Sequence, residues 1–297
     1  MADPINDFDL WNELPNELKK RCISKMNVQT RQSLKRTCRN ECLLVSLVKV
    51  RFTSLYVWFT GWGALEGYYT FDGNDHHEYV FTYSTEFSSL QLAQQIFKYV
   101  SESVSVVDRL HVDNAPATIL DHVSDNSLNV KNLAMLDCNE NSTMAALSKC
   151  ITSNIRVFQT FHRHVHNFPI DLLTFELLES LQLLNVSNVA MFGFPVIVAG
   201  RWMMMRDTVG KKMQFATKSK QTMAHFQNEY HDRSQYHPSE SVCKIGTDSA
   251  GISIVLKFEQ ELEDTQYFIM GVVRYDDNEG IEDLWSDMDA LTPNGIW

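Results

Sequence analysis

Three histidines alternate in the stretch FHRHVHNF, at His162, His164 and His166. Alternate residues of a β-strand share a face, and imidazoles so placed are a set that zinc or a similar ion accepts. No Cys, Asp or Glu neighbours them in sequence, so the stretch reads as a polar strand edge or loop, and no metal is expected. His76 and His77, beside the Asp72-Gly73-Asn74 turn, read as loop surface. The six cysteines, Cys22, Cys38, Cys42, Cys138, Cys150 and Cys243, are scattered singly. Cys38 and Cys42 could share a helix face, but no second pair or histidine lies nearby. They read as buried structural thiols of a reducing compartment, cytosol or nucleus. There is no phosphate-cradling glycine loop, G-x-S-x-G elbow, H-E-x-x-H or paired C-x-x-C. Acid pairs such as Asp276-Asp277 sit in a polar C-terminal stretch. No cofactor is called for, and an enzyme is the remotest reading.

A different chemistry is concentrated between Asn12 and Cys42. Lys19, Lys20, Arg21, Lys25, Arg31, Lys35, Arg36 and Arg39 are eight bases with no acid among them. They surround an apolar stripe, with Leu14, Leu18, Cys22 and Met26 at intervals of four and Ile23 beside them. That spacing predicts a helix over 12–26, and Pro15 suits its first turn. A second helix carries Leu34 and Cys38. A third apolar run goes from Cys42 through Val45 to Val48. Three short helices bury little surface, so such a module needs a neighbour or partner.

The rest of the chain has the opposite charge. Of 297 residues, 26 are Lys or Arg and 37 are Asp or Glu, a net charge of −11. This balance excludes nucleic acid as a partner of the whole chain. No apolar run approaches the ~18 residues of a membrane span, so no membrane partner is expected. The acidic start MADPINDFDLW is not a secretory signal. Hydrophobic content of 44% permits a sizeable core.

These side chains must be positioned by ordinary elements. VRFTSLYVWFTG, ALEGYYTFDG and EYVFTYS are aromatic and β-branched, and read as an antiparallel meander over about 50–84, with a helix following over about 88–100. From Val107 a motif recurs: VDRLHVDNA at Val107, VKNLAMLDC at Val130, IRVFQTFH at Ile155 and LESLQLLNV at Leu178, with steps of 23, 25 and 23 residues. Apolar first, fourth and sixth positions alternate with helical pieces, as in leucine-rich repeats. The fifth positions (His111, Ala134, Gln159, Gln182) and seventh positions (Asp113, Leu136, Phe161, Leu184) should then face outward. His111, Asp113, Leu136, Phe161 and Leu184 are the expected substrate-binding residues. Met203, Met204 and Met205 read as core filling. SVCKIGTD, AGISIVLKFEQ and TQYFIMGVVRY read as closing strands. The expected fold is α+β: a small N-terminal helical module (1–48), a β-meander plus helix as linking region (49–104), an irregular leucine-rich-repeat-like α/β solenoid with closing strands (105–275), and an acidic tail (276–297).

The opening segment resembles an F-box. Leu14-Pro15, Glu17-Leu18, Ile23, Met26, Leu34 and Cys38-Arg39 stand where that family has Leu-Pro, an acid-Leu pair, spaced aliphatics and Leu followed by Cys-Arg. Cys22, Thr37 and Glu41 depart from the pattern. The remainder is similar, more loosely, to nematode F-box proteins with F-box-associated or FTH-type C-terminal regions. The resemblance implies docking of Leu14, Pro15, Leu18, Ile23, Met26, Leu34, Cys38 and Arg39 onto the acidic Skp-type linker of a cullin-RING (SCF) ligase. It implies a protein substrate for degradation, foreign or toxic by family likeness. The alternative is a binder or inhibitor acting by occupancy.

Overall fold

The computed structural model describes residues 11–274, apart from 27, 62, 72–78, 84–85, 163–167, 169, 207, 238–240, 250 and 263. The acidic tail, His76-His77, the Asp72-Gly73-Asn74 turn, His164 and His166 therefore lie outside the described residues.

Three helices come first: α1 (Asn16–Lys25), α2 (Val28–Lys35) and α3 (Arg39–Leu47). Pro15 occupies the N-cap of α1, and its fixed φ of −56° leads the chain into the first turn. Ile23, Leu34 and Leu44 close a small core, with Trp11, Met26, Val45 and Val48 packed around it. This core is separate from the main one.

The chain then builds one sheet. β1 (Val50–Phe59), β2 (Leu65–Phe71) and β3 (Tyr79–Tyr83) form the expected antiparallel meander. Helix α4 (Glu86–Ser103) crosses back, so that β4 (Val104–Asp113) lies parallel to β1. Parallel strands β5 (Val130–Leu136), β6 (Val157–Phe161), β7 (Leu183–Val189) and β8 (Lys212–Thr217) follow. Between them run α5 (Glu140–Lys149), α6 (Phe175–Ser180) and α7 (Phe194–Met203), with α8 (Thr222–Glu229) after β8. The sheet ends in antiparallel β12 (Thr265–Arg274), β11 (Ile252–Leu262), β10 (Val242–Gly246) and the short β9 (Ser234–His237). The order β3-β2-β1-β4-β5-β6-β7-β8-β12-β11-β10-β9 makes twelve strands. The strands expected as a linking region are thus part of the same sheet as the rest.

One face of this sheet is apolar throughout. Leu55, Leu110, Leu133, Phe158, Leu184, Met213, Met270, Leu256 and Cys243 form a single register row from β1 to β10. Phe97, Leu147, Leu177, Phe194, Val198 and Phe226 come from the helices into the same cluster. The helices are held by short-range caps. Asn139 accepts from the Ser142 N–H at 2.8 Å, and Ser142 Oγ donates to the Ala115 carbonyl at 2.8 Å, pinning α5 to the preceding turn. Thr174 caps α6 in the same way.

The fourth copy of the motif is displaced. Leu184 pairs with Phe158 in the core row and is 1% exposed, so it faces the helices and not solvent. Leu178 belongs to α6, which delays the strand; Leu181 takes the first position of the copy, and Asn185 the outward fifth in place of Gln182. The methionines also differ: Met203 and Met205 pack against the core, but Met204 is exposed. No helix among the described residues is long and apolar enough to cross a membrane.

Candidate functional site

The N-terminal module divides its apolar residues between inside and outside. Ile23 and Leu34 are buried in its own core, and Met26 is half-buried beside them. These three shape the module from within. Leu18 is 43% exposed, Pro15, Cys22, Cys38 and Arg39 are exposed, and Leu14 is half-buried. On α3 the exposed Leu43 and Leu47, one turn apart, add a second apolar strip that the spacing of the third run did not single out. Lys20, Arg21, Lys25, Arg36 and Arg39 remain on the surface around these strips.

Two of the eight bases are not surface groups. Lys19 is buried and donates to Glu41 Oε1 at 3.1 Å, with its ammonium 5.6 Å from the centre of the Trp11 ring. Arg31 is buried, and its Nη2 donates to the Val48 carbonyl. Burial lowers the pKa of Arg31, and Tyr99 on α4 opposes this by its charge. The thiols also depart from expectation. Cys22 and Cys38 are exposed and Cys42 is half-buried, because the short helices have too little interior for them. Cys138, Cys150 and Cys243 are buried, and burial pushes the Cys138 thiol up to about 11 and Cys150 to about 12. Thiols so protonated are poor nucleophiles.

The second surface is the sheet face turned away from the helices. His111 and Asp113 on β4 and Leu136 and Phe161 on β5 and β6 lie on it, all half-buried. Trp58, Asp113, Leu136 and Phe161 are in register across four strands. The next row inward runs Tyr68, Tyr56, His111, Ala134, Gln159 and Asn185. Tyr56 stacks on Tyr68 with centroids 5.5 Å apart and lies tilted against His111 at 6.0 Å. Its phenol donates to Asp113 Oδ2 at 3.4 Å. Burial above all, with Asp113 adding to it, raises Tyr56 to about 12, so the phenol keeps its proton. Burial, then the charge of Arg109, lowers the pKa of His111. The aromatic half of this surface comes from β1 and β2. Its signal was present in the alternation Tyr56-Val57-Trp58, whose first and third residues must share a face.

His162 follows β6, and burial lowers its pKa against a raising effect of Asp137. Among the described residues no three His, Cys, Asp or Glu side chains converge as a metal site would require.

A small helical module with apolar strips outward is joined to a large sheet whose second face leaves Trp58, Leu136 and Phe161 partly exposed among the described residues, so the described part presents two candidate surfaces. The F-box domain family matches residues 11–53, which supports an F-box protein. F-box domains in general bind Skp-type linkers and so connect to cullin ligases, as adaptors and not as enzymes. No catalytic family is indicated. No curated protein and no solved structure matches the chain.

Proposed function

We propose that this protein is the substrate-recognition subunit of an SCF ubiquitin ligase. The exposed Pro15, Leu18 and Cys22 with the half-buried Leu14, joined by Leu43 and Leu47, receive the Skp-type linker. Apolar burial supplies affinity, and the exposed bases around them steer an acidic partner. The second sheet face holds the target protein, a foreign or toxic one by family likeness. We read β4–β8 as an irregular leucine-rich-repeat-like array. Equivalent turns support this reading: Asn114 and Asp137, each just past its strand, both take positive φ (49° and 47°). So does the ladder in which Asn154 Nδ2 donates to Asn129 Oδ1 at 3.0 Å and Asn129 Nδ2 to the Ser105 carbonyl at 2.8 Å.

The observation that carries the proposal is that the module satisfies its own core with Ile23, Leu34 and Leu44 and still leaves large apolar residues outside. Co-purification of the Skp-type linker tests it. The wild-type chain should retain the linker, and a folded Leu14→Asp/Leu18→Asp variant should lose it. A folded wild-type chain that retains none would leave an occupancy binder, for which neutralisation of the target does not need the proteasome.

A further inference from the structure

We propose that the chain's own segment 281–291 lies as an amphipathic helix across the second face of the sheet and covers it over β7, β8, β12 and β11. The inference goes beyond the proposed function and does not depend on it. Two small apolar clusters sit on that face, apart from the main core: Val242, Val255 and Val273, and Val157 with Leu183, against which Ile269 packs. Leu183 and Val255 are 0% exposed. They alternate with Leu184 and with Ile254 and Leu256, which point into the main core on the other face. Among the described residues α4, α5, α6, α7 and α8 all send their buried side chains to that core, and none of them lies over the two clusters. An aliphatic side chain on a sheet face that meets water keeps part of its surface exposed. Ser253 is a second sign. It shares the face with Val255, is 0% exposed, and its hydroxyl has no hydrogen-bond partner. A hydroxyl in contact with water would have one.

The chain itself supplies the occupant. β12 ends at Arg274, paired with Ile252 of β11, so the chain leaves the sheet at the border of the covered area. Beyond it Ile281, Leu284, Trp285, Met288 and Leu291 recur at helical spacing, while Glu282, Asp283, Asp287 and Asp289 fall on the opposite side. Pro293 stops such a helix. A helix over 281–291 measures about 16 Å, and the four strands from β7 to β11 span about 14 Å. The linking residues 275–280 reach about 20 Å, enough to turn back over β12. The segment 275–297 carries seven acids and no base. Lys212, half-buried on the covered face between Leu183 and Gly271, and the exposed Arg274 meet it with the opposite sign. Residues 1–10 are the poorer candidate. They precede a module attached at β1, which lies seven strand steps from β11 in the sheet order. That distance, about 34 Å, is the full extended reach of such a segment. A helix so placed leaves the row of Trp58, Asp113, Leu136 and Phe161 on the other half of the face.

The test uses the full chain and two readouts. In hydrogen exchange the amides of 281–291 should exchange at least about ten-fold more slowly than in the same residues as a free peptide. The second readout is the relaxation of the Leu183 and Val255 methyl resonances by a soluble paramagnetic chelate. It should be weak in the wild type and stronger in Leu284→Asp/Trp285→Asp, whose substitutions lie outside the sheet. Unchanged amide resonances of β4 and β5 establish that this variant is folded. Methyls that stay shielded in the folded variant overturn the proposal, because neighbouring side-chain stems then do the covering. Amides of 281–291 that exchange as fast as in the free peptide also overturn it. So does protection that disappears on dilution, which would put the segment of a second copy on the face. Neither readout involves the linker or the target, so the co-purification result stands or falls separately.

Discussion

Glu41 is one of the departures from the F-box pattern, and its surroundings explain why it is tolerated. It lies buried on α3, paired with Lys19 of α1 at 3.1 Å, and its second oxygen has no hydrogen-bond partner. Breaking such a pair strands a buried charge, whereas replacing both members with apolar groups is often neutral. Lys19→Met should therefore destabilise the module by about 3 kcal/mol, and Lys19→Met/Glu41→Leu should recover most of that loss. Hydrogen exchange of the α1–α3 amides reads both variants, and equal losses in the two would sink the argument. Asp108 gives a second case. It receives Arg51 at 2.7 Å and Lys131 at 2.9 Å, tying β1, β4 and β5 together at one end. Burial alone would raise its pKa, but the hydrogen bonds and charges of Lys131 and Arg51 together outweigh burial and lower it. A carboxyl depressed in the folded state stabilises above its unfolded value, about 3.9, and that contribution vanishes as pH falls through the folded value. Asp108→Asn should cost up to about 1 kcal/mol at pH 7, since both bases are about half exposed, and less near pH 2. Urea unfolding at the two pH values measures the difference.

Helix α3 separates stability from docking along its length. Leu44 faces the small core, and Leu43 and Leu47 face away from it. Leu44→Ala should cost about 2–4 kcal/mol of module stability. Leu43→Ser/Leu47→Ser should change stability by less than about 0.5 kcal/mol per site, yet weaken linker retention in co-purification. Loss of fold in the serine variant would mean that these leucines are packed and not presented. The same inside–outside division marks what the sequence disclosed. Element types were legible wherever side chains repeat with a clear period, as in the meander, α4, β4–β6 and the closing strands. The small module was legible because Leu-Pro and the spacing of four mark a helix start and its face. The direction of each side chain within a crowded stripe was not, since Lys19 and Ile23 turn inward while Leu18 and Cys22 turn outward on adjacent positions. The outward patch was legible at His111, Asp113, Leu136 and Phe161, where copies keep step. It failed at Leu184, because α6 consumes three residues before the strand and a shift of register exchanges the two faces. Tyr56, Trp58 and Tyr68 escaped notice because pairing of β1 with β4 is set by a crossover helix, which no local pattern announces.

At the scale of the whole molecule, two apolar cores meet across a polar joint. The core of the small module and that of the sheet are distinct clusters, and Arg31 stands between them. Its Nη2 donates to the carbonyl of Val48, just before β1, and its charge acts on Tyr99, which packs against the main core. Nε and Nη1 are buried without a hydrogen-bond partner. Donors left unpaired cost stability, so this residue is a poor choice for holding the two parts together by energy alone. It is a good choice for fixing direction, because a planar guanidinium aims its bonds. Arg31→Met removes the desolvated charge at similar volume and should change the unfolding free energy by no more than about 1–2 kcal/mol, in either direction. It should at the same time loosen the angle between module and sheet. Residual dipolar couplings read that angle: in the wild type one alignment tensor should fit amides of both parts, and in Arg31→Met the couplings of α1–α3 should shrink relative to those of the sheet. Under the proposed function, the angle sets which lysines of a held target come within reach of the ligase, so the variant should ubiquitinate a broader set of positions on the same target. A variant that is strongly destabilised but keeps one tensor would make Arg31 a structural residue only.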